Sequence, residues 1–459
     1  MSGMAQRSDT ADVHVVGGGL AGTEAARLLA ARGLRVDLHE MRPVRPTAAH
    51  ATGDLAELVC SNSLGSLEPS TGKGLLLAEM ERMGSLVVAS ARRHAVPAGA
   101  SLAVDREGFA ATVTAAIEAE PRIRVRREEV TALPGPDGPP TIVATGPLTA
   151  PALSRAILET TGEDSLYFYD AIAPIVLAES LDRDVVYGKS RYNRGTPDFL
   201  NCPLDEARYE AFVDALLAGE TVPTKDFEQA AYFEGCMPIE ELARRGRRTL
   251  AFGPMRPVGL EDPRTGRRPH AVVQLRREDR HGQLYNLVGF QTKLRYPEQT
   301  RIFRRIPGLE QARFVRLGSV HRNTFVNAPR LLGPDLSLRV IPHVWLAGQM
   351  TGVEGYAESA ALGMVAALAV LARRAGRAFE PPPETTALGG ILAYLREADP
   401  AHFQPMNVNF GLMPPLARPP RGKRERRRAL AERASREHER WWDAVRDRCE
   451  PITHPITAR

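Results

Sequence analysis

Cysteine is scarce in this chain of 459 residues: there are four, Cys60, Cys202, Cys236 and Cys449. They stand far apart, with no Cys-x-x-Cys pair and no Cys/His ligand spacing, so neither a structural zinc nor any other metal is expected. The same spacing argues against a disulfide framework and suits free thiols in a reducing compartment. Lysine is scarcer still for its kind. Only five of the 60 basic residues are Lys, and Ala, Gly, Pro and Arg abound. That is the mark of a GC-rich genome, so a single Arg carries little meaning by itself. Long apolar runs are missing too. The longest, Ser359 to Ala372, falls short of the roughly 18 residues that span a bilayer and reads as a buried helix. Met1 to Asp12 has no apolar core of a signal peptide. The expectation is a cytoplasmic protein with no membrane partner.

What is present is ordinary for a folded, water-soluble chain: 43% hydrophobic and 25% charged residues, enough length for two or three domains. The net charge of +5 is local. Residues 421–448 hold eleven Arg or Lys and six Asp or Glu, which leaves 49 of each sign elsewhere.

Short apolar strands alternate with Ala/Leu-rich helices over the first 150 or so residues, the pattern of a parallel α/β sheet. Strands are expected at Val13–Val16, Leu34–His39, Ile123–Arg126 and Thr141–Ala144, and helices at Leu20–Arg32 and Phe109–Glu118. Gly33 stands where a left-handed C-cap belongs. From about residue 166 to 325 the texture changes to aromatic and β-branched runs between polar stretches, which suggests a mixed, partly antiparallel insertion. The α/β pattern resumes at Val344–Ala347 and a helix from about Glu358, and a Pro-punctuated helical tail follows. The expected division is 11–165 and 326–380 for the two parts of one dinucleotide-binding domain, 166–325 for the insertion and 381–459 for a helical, basic C-terminal segment.

Gly17-Gly18-Gly19-Leu20-Ala21-Gly22 directly follows the first strand and opens the first helix. In this GxGxxG pattern the first Gly permits the tight turn and the second lets backbone approach a pyrophosphate. The third allows close helix–strand contact, and the helix N-terminus stabilises the anion. Glu40 ends the second strand, where a carboxylate would hold a ribose hydroxyl. A second Gly-rich element, Gly348-Gln349-Met350-Thr351-Gly352, lies between a late strand and a helix. Together with the Ala144-Thr145-Gly146 strand end it favours FAD, and no second complete GxGxxG marks a separate nicotinamide domain. The fold class is therefore α/β: a Rossmann-type, glutathione-reductase-like FAD domain with an inserted mixed α/β domain and a helical C-terminal tail.

Several further segments occur together and in order: Val59-Cys60-Ser61-Asn62-Ser63-Leu64, Glu234-Gly235-Cys236-Met237-Pro238, Gly253-Pro254-Met255-Arg256-Pro257, Val288-Gly289-Phe290-Gln291-Thr292, His321-Arg322-Asn323-Thr324-Phe325, and Gly348-Gln349 through Gly355-Tyr356. In this combination, from about Val13 to Gly363, the sequence resembles the folate- and FAD-dependent tRNA uracil-5-methyltransferases. The related GidA group of wobble-uridine modifiers shares the two glycine motifs but carries a long extra C-terminal domain that is not expected here. The resemblance implies transfer of a one-carbon unit from 5,10-methylenetetrahydrofolate to C5 of a T-loop uridine in tRNA. Reduced FAD would supply the reducing equivalents and NADPH or NADH would recharge it.

C5 of uracil is a poor nucleophile until a thiolate adds to C6, so the chemistry needs a reactive cysteine. By resemblance Cys236 is that nucleophile, in a turn before a helix expected near Ile239. By resemblance Cys60 lies close to the isoalloxazine, as cover for C6 or a flavin adduct or in proton transfer. Cys202 and Cys449 match nothing and read as packing residues. Glu234, Glu358 and His321 are the candidates for the base that removes the C5 proton, Glu358 alternatively as a helix cap. Tyr356, Phe227 and Tyr232 are candidates for stacking on the pterin, with Tyr356 assigned to the cofactor site. Arg322 and Asn323 would contact flavin or folate.

Among the basic clusters, Arg244-Arg245 follows Cys236 most closely and is the best candidate for tRNA phosphates. The tail reads as a charged helix that Trp441-Trp442 seal against the body. The competing readings are a wobble-uridine modifier of the GidA type, a small-molecule FAD/NAD(P)H oxidoreductase, and a flavin-bearing RNA-binding protein without transferase activity.

Overall fold

A computed structural model describes residues 10–47, 49–162, 166–171, 173–193, 196–222, 237–318 and 320–446, with backbone alone at 166–171 and 320–323. Its first sheet has five strands in the order Val344–Leu346, Thr141–Val143, Val13–Val16, Val36–His39 and Ile123–Arg126. Every pairing is parallel, with Val13 opposite Val36 and Val15 opposite Ile142. Parallel strands are covered on both faces, which suits the apolar runs Val344–Leu346, Thr141–Val143 and Val13–Val16, while Val36–His39 and Ile123–Arg126 toward the other edge carry Asp37, Arg124 and Arg126, which pair across the two strands. The earliest strand lies in the middle of the sheet. The turns after it and its neighbours therefore open on one edge, where ligands bind in such sheets.

Two helices cover the centre of the sheet. Leu20–Ala31 ends at Gly33 in the left-handed region (φ +89°). It packs on Tyr356–Arg374, which starts two residues before the expected Glu358. The contact is close because Gly363 has no side chain: a Cβ there would lie 2.0 Å from the carbonyl oxygen of Ala21. By length and composition Tyr356–Arg374 is apolar enough to cross a membrane, but 72% of its apolar window is buried inside this fold. The helix expected at Phe109–Glu118 starts earlier, at Arg106. The Asp105 carboxylate there accepts from the Gly108 amide and caps the first turn,.

The second sheet has six strands, in the order Tyr187–Gly188, Phe199–Leu204, Ala271–Arg277, Leu284–Leu287, Ile175–Leu177 and Phe314–Arg316. Its pairings are antiparallel throughout, so the expectation of a partly antiparallel insertion understates the case. This body has its own apolar core, with Phe212, Phe290 and Phe303 at its centre, and Glu206–Leu217, Ile239–Arg244 and Tyr296–Phe303 are among its helices. A two-stranded antiparallel ladder, Leu166–Ala171 with Val320–Phe325, lies where the chain enters and leaves it.

The C-terminal helices close the first body. Two N–H groups at the start of Ala387–Glu397 donate to Glu79, at 2.8 and 2.9 Å, from Ala387 and Leu388. The basic helix Lys423–Arg446 buries Leu430, Ala434, His438, Trp441 and Trp442 against the first core. The Trp441 indole donates to the carbonyl of Glu380 at 3.1 Å. The tryptophans thus seal this helix, as expected, while Arg424, Arg426, Arg427 and Arg428 are exposed.

Candidate active site

The cradle at the sheet edge follows from backbone sterics. Gly17 has φ +105°, and a Cβ on it would lie 2.5 Å from the oxygen of Ala144, so only Gly fits beside that strand end,. A Cβ on Gly22 would lie 1.8 Å from the oxygen of Gly17, the contact that seats the helix on the strand. Gly19, by contrast, faces open space: a Cβ there would meet nothing within 4 Å. Gly17 and Gly19 line one end of a cleft of about 580 Å³ with Glu40, Arg42, His50 and Thr145. Leu20 and Ala21 are buried at the helix start.

Glu40 organises the other wall. Its Oε2 accepts from the Gly18 amide at 2.9 Å, and its Oε1 accepts from the amide and Nε of Arg42, each at 2.9 Å. Burial pushes its pKa up, but the Arg42 guanidinium and the amides outweigh burial and hold it below the usual range,. Arg42 also bonds Glu57 at 3.1 Å. His50, beside Arg42, is held neutral by burial and that positive charge, its pKa pushed down to about 4. Sequence reasoning missed Arg42 and His50. Met41 to His50 mixes Arg, Pro, Val, Thr and Ala with no spacing that marks either residue.

The second glycine element closes on the first. A Cβ on Gly348 (φ +77°) would lie 2.9 Å from the Cβ of Ala21. Gln349 donates to Glu354 at 2.8 Å, and the nearest neighbour of Gly352 (φ +94°) is the ring of Phe403. Four residues beyond Gly352, the Tyr356 hydroxyl accepts from the amides of Cys60 (2.7 Å) and Ser61 (3.1 Å). Arg106 holds the same loop from the other side, donating to the carbonyls of Leu58 (3.0 Å) and Cys60 (3.3 Å). Its Nε pairs with Glu278 of the second body at 2.7 Å. Asn62 adds a tie, its amide donating to the carbonyls of Val104 and Arg277. Cys60 is thus a half-buried residue on a loop fixed at both its N–H and C=O groups. Arg106 and Glu278, 172 residues apart, carry no sequence signal for this role.

Other expected residues fall elsewhere. Glu358 does not cap its helix. It is fully buried, with Oε2 on Lys73 Nζ at 2.5 Å and Oε1 accepting from the Val408 amide at 2.9 Å. Cys202 is a core residue of the second body whose thiol burial pushes up, consistent with packing. Arg244 pairs with Glu241 one turn away at 2.7 Å, and Arg245 follows at the end of that short helix. Arg322 and Asn323 lie on the two-stranded ladder, opposite Tyr169 and Phe168. Their side chains and that of His321 lie outside the described residues, as do Phe227, Tyr232, Glu234, Cys236 and Cys449. One cluster has the make-up of a metal site: His14, Asp37 and His39. Its donors are already engaged, His14 with His39 at 2.9 Å and Asp37 with Arg124 and Arg126.

The fold and the cradle define a dinucleotide-binding protein of the doubly wound α/β class, with a cysteine loop fixed beside the closing glycine element. Residues 12–378 match the family model described as Glucose inhibited division protein A. The solved structure of Aquifex aeolicus GidA superposes with a TM-score of 0.71 at 15% identity, over 97% of this chain and 75% of that one. The methylenetetrahydrofolate–tRNA-(uracil-5-)-methyltransferase TrmFO of Heliobacterium modesticaldum is 56% identical over 429 residues, 94% of this chain and 97% of that protein. The TrmFO of Geobacter sulfurreducens is 57% identical over 439 residues, 95% of this chain and all of that protein. The chain belongs to the TrmFO family, within the wider GidA group.

Proposed function

We propose that this protein transfers a one-carbon unit from 5,10-methylenetetrahydrofolate to C5 of a T-loop uridine of tRNA, in the cytoplasm, with FAD as its cofactor. The observation that carries the reading is the meeting of the glycine cradle with the Cys60 loop at one sheet edge. The donor set fits FAD: open space at Gly19 for a pyrophosphate, the N-terminus of Leu20–Ala31 behind it, and a Glu40 carboxylate held ionised. When bound, the flavin supplies the reducing equivalents that convert a methylene to a methyl group, and NADPH or NADH restores them. The segments 11–165 and 326–380 hold this cofactor, and 166–325 presents the substrates.

The chain's own residues supply the rest. Cys236 adds its thiolate to C6 of the uracil, which makes C5 nucleophilic toward the methylene carbon. Cys60, held rigidly by Tyr356 and Arg106, stands at the same edge. Arg322 and Asn323 contact folate or flavin, and Arg244 and Arg245 contact phosphate. A shallow groove of about 1670 Å³ on the second body, lined by Arg208, Arg248, Arg256, Arg267 and Arg268, suits a phosphate backbone,. The test is one reaction: purified protein, FAD, NADPH, methylene-labelled folate and unmodified tRNA. Label is expected in the T-arm uridine. A wobble-uridine product or RNA without label overturns the reading, and full activity of Cys236→Ala overturns the nucleophile assignment alone.

A further inference from the structure

Charge removed from water without an opposite partner is costly, so a fold that keeps it generally does so for a ligand. Three arginines from separate elements surround the Cys60 loop: Arg106, at the start of its helix, donates to the Cys60 carbonyl at 3.3 Å, while Arg276 on the strand Ala271–Arg277 and Arg316 on the strand Phe314–Arg316 stand in one row across the second sheet, through Asn286 and Ile175, and both feel the charge of Cys60. Glu278, with a side chain only 2% exposed, is the carboxylate among them, and it pairs closely with Arg106. It lies 3.7 Å from Arg276 without a hydrogen bond. The other ionisable neighbours are Cys60 and Tyr356, with His50 beyond Arg316. Glu278 is thus one carboxylate shared by Arg106 and, more loosely, Arg276. Among the described residues the cluster of Arg106, Arg276, Arg316 and Glu278 therefore carries two positive charges in excess, on the Arg276 and Arg316 side. Arg276 is 12% exposed and its buried Nε has no hydrogen-bond partner among those residues. Burial lowers the pKa of both, the mark of guanidiniums held away from water without enough negative charge,.

We propose that Arg276 and Arg316 form an anion subsite beside Cys60, with Arg106 fixed behind them by Glu278. The ligand is an anionic oxygen of a substrate. It comes either from a carboxylate of the folate glutamate tail or from the pyrimidine oxygen that becomes negative when a thiolate adds to C6. The choice of these two sources rests on the proposed methyl transfer; the subsite itself does not. Arginine suits it because a planar guanidinium offers several donors to one oxygen or carboxylate.

The test uses the full chain and the variants Arg276→Met, Arg276→Lys and Arg316→Met. Crystals soaked in bromide should show an anomalous peak between the two guanidiniums, lost in Arg276→Met. An empty wild-type site overturns the proposal whether or not the protein is a methyltransferase. Equilibrium binding of tetrahydrofolate and of tetrahydropteroate, which lacks the glutamate, separates the sources. A carboxylate ligand predicts a loss of roughly tenfold or more for tetrahydrofolate alone in the Met variants. A pyrimidine oxyanion predicts unchanged binding of both and a fall of about 10² in kcat with tRNA, partly restored in Arg276→Lys. Binding and kcat all within twofold of wild type in both Met variants overturn the proposal. Absence of methyl transfer in the wild type condemns the functional reading and leaves the bromide result to decide the subsite.

Discussion

Tyr356→Phe tests whether the Cys60 loop is held as described. The substitution keeps the ring, which packs on the first core, and deletes one oxygen. That oxygen is the acceptor for two amides, Cys60 at 2.7 Å and Ser61 at 3.1 Å. A typical hydrogen bond contributes about 1 kcal/mol net, and a buried donor left unpaired costs about 1–3 kcal/mol. Tyr356 is half-buried, so water can replace part of what is lost, and we expect a total of about 1–3 kcal/mol rather than the sum of two full penalties. Burial, with Cys60 adding to it, pushes the phenol's pKa above its ordinary value. The hydroxyl therefore stays protonated between pH 6 and 9 and the loss should not vary there. Two measurements check this: the urea unfolding midpoint, and the rate at which iodoacetamide modifies Cys60, followed by mass spectrometry of its peptide. Stability should fall and Cys60 should react several-fold faster, while buried Cys202 serves as an unreactive control. A variant with unchanged midpoint and unchanged Cys60 reactivity would refute the clamp.

Gly22→Ala places a Cβ 1.8 Å from the Gly17 oxygen. The helix must shift off the strand at a cost of about 1–3 kcal/mol or more, and FAD retained on gel filtration should drop sharply; full retention would count against the cradle. Glu79 is fully buried at the start of Ala387–Glu397, and burial raises its pKa from 4.5 to about 8. A carboxyl whose folded pKa is raised contributes stability that is complete below pH 4.5 and lost as pH rises through 8, at up to ~1.4 kcal/mol per pH unit between. Glu79→Gln should therefore flatten the fall in urea midpoint between pH 5 and 8, with buried Glu24, pKa about 7, leaving a smaller slope; parallel wild-type and variant curves would contradict this. Replacing exposed Arg424, Arg426, Arg427 and Arg428 by Ser should change stability by under about 0.5 kcal/mol for each residue replaced. If this turn meets tRNA, the slope of log affinity against log salt falls by about one per phosphate lost, and an unchanged slope confines the helix to packing.

Local features of the fold were legible in the sequence. Val13–Val16, Gly17 to Gly22 and Glu40 form a motif within 28 residues, where the spacing alone fixes a strand, a turn and a helix start. Gly33 and the Trp441-Trp442 seal were equally local. The insertion was read as a change of texture, but its antiparallel order was not, because pairing between Leu204 and Ala271 depends on contacts across 67 residues. The site suffered from the same limit. Cys60 was named through resemblance and Tyr356 as a stacking candidate, yet nothing in the chain announces that the phenol oxygen of one bonds the backbone of the other 296 residues away. Glu358 looked like a base or a cap because the helix was expected to start near it. Lys73 and the Val408 amide, which occupy its two oxygens, come from distant segments.

The scarce lysines turn out to be more informative than the common arginines. In a chain that uses Arg by default, a retained Lys marks a place where a compact point charge on a slim stem is wanted instead of a planar fork. Lys73 is one such place. Its Nζ meets buried Glu358 and packs against Gly355, where a Cβ would lie only 2.3 Å from that nitrogen. Lys189 and Lys293, with side chains 14% and 12% exposed, likewise meet carboxylates, Glu261 and Glu241, and Lys189 also donates to the Glu261 carbonyl. Lys423 alone among the described lysines is fully out in solvent, on the basic helix. Arginine reads the other way. Most of its clusters are exposed or already paired, as Arg247 is with Glu210 and Asp214. The exceptions that matter are Arg276 and Arg316, which among the described residues share with Arg106 a single carboxylate, Glu278, beside Cys60. Net charge in the sequence pointed to the tail, but it is burial and pairing, visible only in the fold, that locate the positive charge able to act on a substrate.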